Sequence, residues 1–284
     1  MADIPFVDQS KVLIVALEGW NDAGDAASDC VSMIVEHYGL EPLSSIDPEE
    51  YYDFQLTRPL VSHEPDGSRT LNWPDVTLLG LREPKASAPL VLLGQEPSRL
   101  WRSFAAQMVD RALAYDIEGI IFLGSMLADV PHSRPVRVTA TSDDQGVRDA
   151  LDVEKSTYEG PVGALTVLAL AAAEVGIPSL NLWAHIPHYV HTAPSPKATL
   201  ALLDRVEEVL GISIDREDLE VEALRWEEGI DELAGDDDEM SAYIDQLERQ
   251  RDAADAPEAT GDAIASEFEK YLRGRPERPG AGES

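Results

Sequence analysis

Hydrophobic and polar positions alternate along the chain in a repeated order. A continuous aliphatic run at residues 11–17 (KVLIVAL) predicts a strand buried on both faces. Beyond Gly19, Ala23, Ala27, Cys30, Ile34 and Tyr38 recur every three or four residues and predict an amphipathic helix that stops at Gly39. The Asn21/Asp22 pair supplies its N-cap, with Asp25 in the first turn. The order then repeats. Residues 89–93 (PLVLL) read as a strand, followed by a helix capped by Ser98 with Leu100, Trp101, Phe104, Met108 and Leu113 on one face. Residues 119–123 (GIIFL) form a third strand ending at Gly124-Ser125, and 135–140 an edge or hairpin strand. Residues 162–175 predict a helix that is apolar nearly all round and therefore buried. A strand at 180–184, a loop rich in His and Pro, and a helix at 197–210 complete the series. Residues 42–80 break it with aromatics and an Asp66-Gly67 turn, predicting a hairpin or irregular insertion before a strand near 76–81. Strand–helix alternation of this kind implies an α/β fold with a mainly parallel sheet covered on both faces.

The pattern changes at residue 215. Leu219, Trp226, Leu233, Met240 and Leu247 recur every seven residues, with Ala223, Ile230 and Ile244 in companion positions. Such a seam predicts helices packed on each other or on a partner. Gly235-Asp236-Asp237-Asp238 interrupts it, which favours an αα-hairpin over one long helix. Ile264, Phe268, Tyr271 and Leu272 mark a last short helix, and the Pro/Gly-rich end is predicted to be disordered. The expected organisation is an α/β domain at 1–214, an acidic helical extension at 215–273 and a tail at 274–284.

Charge narrows the choice of partner. The 284 residues carry 54 acidic and 22 basic side chains, a net charge of −32, and residues 215–284 alone contribute −15. Nucleic acid is excluded as the expected partner because phosphate binding needs a basic footprint, and docking on an anionic membrane is disfavoured for the same reason. One cysteine, Cys30, permits no intramolecular disulfide and reads as inert core. The beginning of the chain lacks a basic, then apolar, leader. The longest apolar run, 161–173, falls short of the ~20 residues a spanning helix needs. The expected location is cytoplasmic.

Four loops hold the candidate chemistry. Residues 19–24 (GWNDAG), with Asn21, Asp22 and Gly24, follow the first strand at a helix start, where open α/β sheets bind ligands. They form neither a GxGxxG nor a Lys-bearing phosphate loop, and Asp22 and Asp25 compete for the helix dipole, so self-capping is the structural alternative. Loop 124–135 brings Ser125, Asp129, His132 and Arg134 to the end of the third strand. A Ser nucleophile with a His base is conceivable there, but no GxSxG elbow surrounds the serine. His185, His188 and His191 stand three apart around Tyr189. Zinc-binding histidines on a helix stand four apart, and Pro187 breaks a helix here, so bonded loop histidines are the alternative and no metal is expected. Gly160 and Gly163 open the buried helix, either as a good Gly-Pro helix start or for close approach of backbone or ligand.

Taken together, LEGWNDAGDAA, LLGQEPSRLWRSFA, LGSMLADVPHSRPVRVTATSDD and YEGPVGALTVLALAAAEVGIPSLNLWAHIPHYVHTAPSPKATLALL resemble the proteasome assembly chaperone 2 family in its actinobacterial-type branch, as do IDQLERQ and AIASEFEKYLR. These stretches span most of residues 11–273. The resemblance implies a three-layer α/β/α fold similar to the phosphorylase/hydrolase-like class, with helices appended at the C-terminus, and a homo-oligomer. It also implies a chaperone-like role toward the proteasome core particle. Members that dock on the proteasome often end in a hydrophobic–Tyr–any tripeptide. This chain ends Gly282-Glu283-Ser284, and Lys270-Tyr271-Leu272 is internal with Lys in the hydrophobic place.

The expected function is therefore non-enzymatic protein assembly or protein binding, with no cofactor, a homo-oligomer as the working form, and a protein client. The alternative is a nucleoside- or phosphate-binding protein, or a hydrolase/phosphorylase-like enzyme, whose pocket would lie between the four loops. A scaffold using the acidic C-terminal helices is a third reading.

Overall fold

A computed structural model describes residues 6–82, 87–190, 194–216 and 218–256. The last helix and the tail expected from the sequence lie outside these residues, as does His191. In chain order the elements are β1 (Val12–Glu18), α1 (Ala26–Tyr38), β2 (Glu41–Ser45), α2 (Pro48–Tyr51), β3 (Leu60–His63), β4 (Arg69–Asn72), β5 (Val76–Gly80) and β6 (Leu90–Gln95). There follow α3 (Trp101–Ala114), β7 (Gly119–Ala128), β8 (Val138–Thr141), α4 (Gln145–Leu151), α5 (Ala164–Glu174), β9 (Ser179–Pro187), α6 (Pro196–Leu210), α7 (Leu219–Gly235) and α8 (Asp238–Asp255).

Seven strands form one mixed sheet in the order β2-β5-β6-β1-β7-β9-β8. The central four, β6, β1, β7 and β9, are parallel; β5 and β8 run against them on either side, and β2, antiparallel to β5, returns to their direction at the edge. The aliphatic run of β1 divides by its two-residue period. Val12, Ile14 and Ala16 pack with Cys30 and Ile34 of α1 and Leu202 and Val206 of α6. Leu13, Val15 and Leu17 pack with Phe104 and Met108 of α3 and Leu165 and Leu168 of α5. A strand covered on both faces needs no polar position, which is why β1 reads as unbroken aliphatic sequence. Cys30 is fully buried, and burial raises its thiol pKa.

Three helical expectations need correction. Ser98 does not cap α3: its N–H donates to Tyr51 O (2.9 Å), and the N-cap position is held by Leu100 in a left-handed conformation (φ 58°). Gly160-Pro161 does not start α5 either, because the N-cap is Gly163. Nor is α5 buried all round. Ala164, Leu165, Leu168 and Ala172 face the core, but Leu170 on the opposite side is 53% exposed.

The seven-residue seam is only partly used. Leu219, Ala223, Ile230 and Ala234 form the buried stripe of α7, which packs chiefly on α6, while Leu233 is exposed. Packing a straight helix against one neighbour selects the 3.6-residue stripe, not the 3.5-residue seam of a supercoil. The break at 235–238 is as expected. Asp237 caps α8, its Oδ1 accepting from Glu239 N and Met240 N (2.9 and 3.1 Å), and Ile244 and Leu247 are the buried residues of that helix.

Gly94 marks the tightest point of the sheet. Its φ is +155°, and a Cβ there would lie 2.0 Å from Asp75 O and 2.7 Å from Val76 Cα, where β6 meets the start of β5. No neighbouring side chain can yield, because the obstacle is backbone. Gly94→Ala is expected to cost about 3 kcal/mol through overpacking and backbone strain. Urea unfolding monitored by tryptophan fluorescence measures it, and an unchanged midpoint would contradict this account.

Candidate functional site

The candidate residues separate into two groups at the carboxyl ends of the parallel strands. The first surrounds the loop after β1. Asp22 is 4% exposed, and its Oδ1 accepts from Ala27 N (2.8 Å) and Ser28 N (3.3 Å), so it serves the free amides of α1 from outside the helix. Ser125 at the end of β7 donates from N to Asn21 O (2.8 Å) and from Oγ to Ala23 O (2.8 Å). A parallel bridge between Asp22 and Ser125 thus extends the sheet by one step. Gly24 takes φ +61°, and its carbonyl accepts from Ser195 N (2.8 Å) at the start of α6.

Asn21 carries this network across to the other face of the sheet. Its Nδ2 donates to Glu96 Oε1 (2.7 Å), and the same oxygen accepts from Ala164 N (2.6 Å), the first amide of α5. Gly163 has to be glycine, because a Cβ there would lie 2.2 Å from Asn21 Nδ2. Of the two sequence readings of this glycine, close approach is the one realised, and what approaches is the chain itself. The N-termini of α1 and α5, the natural anion seats of this fold, are therefore held by the chain's own carboxylates. Burial pushes the pKa values of Asp22 and Glu18 upward; bonds from Ser28 and Ala27 to Asp22, and from Gln95 to Glu18, oppose the shift.

The second group is the seat of the C-terminal helices. His132, 2% exposed, has Nδ1 3.0 Å from Tyr189 OH and Nε2 3.0 Å from Asp231 Oδ1 of α7. Tyr189 OH also accepts from His132 N (2.8 Å). Desolvation is the first cause holding the phenol protonated, with a pKa pushed up to about 12. The Tyr189 hydroxyl and the Asp231 carboxylate thus hold the His132 ring at its two nitrogens. Arg134 grips Asp252 of α8 in a fork, Nε to Oδ1 and Nη2 to Oδ2 at 2.8 Å each, and reaches Glu248 Oε1 at 3.2 Å. Ser133 donates to Glu248, and Lys197 bridges His132 O and Glu227. His188 and Tyr243 both approach Asp129 (3.4 and 3.5 Å), and their rings stack edge to face with 5.6 Å between centroids.

His185 borders this group and bonds Thr139 (2.8 Å), while Gly160 lies in an exposed loop beside Tyr158. The crevice left between this seat and α7, lined by His132, Arg134, His185 and Trp226 among others, has a volume of about 10 Å³. That is room for about one water, far from the ~300 Å³ of a small-molecule pocket. Among the described residues no cluster of three or more His, Cys, Asp or Glu has metal-binding geometry. Sequence reasoning missed Glu96, Asp231, Glu248 and Asp252. Each is an ordinary surface-type acid whose role comes only from the tertiary contact.

These features define a mixed α/β sheet protein whose strand-end loops are engaged by its own carboxylates and by an appended helical pair. The PAC2 family model matches residues 16–234, and the chain belongs to the PAC2 family. A PAC2 family protein from Streptomyces avermitilis is 39% identical with TM-score 0.75, over 82% of this chain and 99% of that one. A proteasome-assembly chaperone homologue from Mycobacterium tuberculosis is 37% identical with TM-score 0.73, over the same shares. PbaB, an archaeal proteasome activator from Pyrococcus furiosus, shares the fold at 16% identity and TM-score 0.61, over 79% of this chain and 93% of that one. No curated protein matches the chain significantly.

Two outcomes follow from this geometry. Arg134→Ala is expected to loosen α8 alone. Its backbone amides should exchange several-fold faster while those of β1 and β7 keep their rates, and 1 M salt should reproduce part of the effect in the unaltered protein. Asp29, in the first turn of α1, titrates at about 6 because partial desolvation, then the carboxylates of Asp25, Asp22, Glu18 and Glu222, raise it. A carboxyl whose folded pKa exceeds the unfolded value of about 3.9 adds stability below that value and loses it as pH rises through 6. Asp29→Asn should therefore raise the melting temperature at pH 8 and leave it unchanged near pH 3. Solvent screening at the helix surface keeps the gain below about 1 kcal/mol. A larger gain at pH 3 than at pH 8 would reverse the assignment.

Proposed function

We propose that the protein is a proteasome-assembly-chaperone-like protein that works by binding proteins, as a homo-oligomer in the cytoplasm. The observation that carries this reading is the occupation of the strand-end positions by the chain's own groups. Asp22 and Glu96 serve the two helix N-termini, and Asp231, Glu248 and Asp252 hold His132 and Arg134. On this reading Asp129, His132, Arg134, His188 and Tyr189 seat α7 and α8, and Asn21, Asp22, Gly24, Ser125 and Gly163 join the two faces of the sheet. Exposed apolar side chains such as Trp20, Leu56 and Leu60 offer surface for a protein contact. Named relatives support the same direction, one of them a proteasome-assembly chaperone homologue at 37% identity.

The test is reconstitution with separately purified α- and β-subunits of the proteasome from the same organism. The chain is expected to migrate with a half-assembled particle on native gels, to speed appearance of the complete core, and to be absent from the complete core. No co-migration and no change in assembly rate would overturn the proposal. Turnover of a nucleoside or phosphoester that is abolished in folded Ser125→Ala would replace it with an enzymatic one.

A further inference from the structure

Among the described residues, two of the exposed apolar surfaces stand over different parts of the sheet. The first is the β3–β4 hairpin, a two-stranded sheet bonded only to itself. Val61 pairs with Leu71 across it, Trp73 follows two residues on, and the three are 44–47% exposed. Leu60, 70% exposed, shares the other face with Ser62, Thr70 and Asn72, and His63 and Arg69 share the face of Val61 and Leu71, so the hairpin shows apolar groups on both sides, and two strands alone are marginal in water. It hangs from the start of β5, near the β2 edge. The second surface is the outer side of α5 with the loop before it, over β1, β7 and β9. Tyr158, Val162, Leu170 and Val175 are 38–64% exposed there.

The two surfaces also match in charge. No charged residue occurs from 160 to 173 in a chain of net charge −32, and this strip is bracketed by Glu159 and Glu174. On the hairpin side, exposed Arg58 and Arg69 are balanced by exposed Glu64 and Asp66 of its turn, so residues 58–72 carry no net charge. None of Arg58, Arg69, Glu159 and Glu174 makes an ion pair within the described residues. A second copy of so acidic a chain is repelled over most of its surface, and this pair of faces escapes that repulsion.

We infer that one copy's hairpin packs on the next copy's α5 face. The inference rests on the self-association proposed above and adds its geometry. Because the joined surfaces differ, the contact is head-to-tail, and its repetition generates a closed ring when the rotation closes.

Light scattering and native mass spectrometry of the full chain test it. Leu71→Glu (or Val61→Glu) removes one surface and Leu170→Glu (or Ala173→Glu) the other. All four side chains are exposed or half-buried in the single copy, and unchanged near-ultraviolet spectra confirm folding. Each variant alone is expected to run at the mass of one chain. An equimolar mixture of a hairpin variant and an α5 variant retains one intact pair of surfaces and should give a one-to-one heterodimer. If the unaltered protein is itself a monomer at 50 µM (roughly where weak assemblies of low-micromolar Kd are populated), the self-association reading fails, and this geometry with it. An oligomer that persists in either folded variant, or variants that dissociate but give no heterodimer on mixing, overturns the head-to-tail contact and leaves self-association standing.

Discussion

The buried carboxylate of Asp22 is the contact on which the strand-end half of the molecule depends. One oxygen serves two amides of α1, while the adjacent backbone pairs with Ser125 and aligns the ends of β1 and β7. Asn21, its neighbour, reaches Glu96, and Glu96 reaches the first amide of α5. β1, β7, α1 and α5 are thereby registered through three polar side chains, Asp22, Asn21 and Glu96. Each bond replaces one made to water, so its net worth is about 1 kcal/mol, but an unpaired partner left buried costs more than that. The network is cooperative for this reason: loss of one member strands the next.

A doubly wound sheet leaves a crevice where crossovers from neighbouring strands depart to opposite faces, and α/β enzymes place ligands there. Here β1 leads to α1 on one face and β7 leads by way of β8 and α4 to α5 on the other. The fold thus creates the crevice, and the Asp22–Ser125 bridge closes it. The adjoining space is taken by α7 and α8. On the proposed reading, protein contact falls to the outer surfaces, where Trp20, Leu60 and Leu170 are exposed.

Residues whose role is set by local pattern were legible in the sequence. The aliphatic run of β1, the spacing of α1 and the break at 235–238 each follow from chain geometry alone. Asn21, Asp22 and Ser125 could be placed at strand ends because strand–loop–helix order puts them there. Their partners could not. Glu96 lies 68 residues from the α5 amide it serves, and Asp252 lies 118 residues from Arg134. Nothing local distinguishes these acids among 54. The same limit explains α5: a helix of nearly pure Ala and Leu reads as fully buried, and only the tertiary packing shows that its outer side is exposed at Leu170.

The excess of negative charge determines where the appended helices can lie. Residues 1–214 carry a net charge of about −17, so an acidic helical pair is repelled by most of the body it covers. Arg134 and Lys197, with the His132 ring beside them, form a local exception, and they meet Asp252, Glu248, Glu227 and Asp231 there. Arg134 in turn holds the Asp252 carboxyl below the usual carboxylate range. Few apolar groups of α8 are buried, chiefly Ile244 and Leu247, worth roughly 1.5–3 kcal/mol each when fully covered. That is enough to hold the helix but not to orient it, since the apolar term is non-directional. Orientation comes from repulsion at every other position and from the forked Arg134 contact at this one. An uncharged, apolar strip in the same acidic chain is subject to the same selection, and for a second copy it is one of the few places to approach.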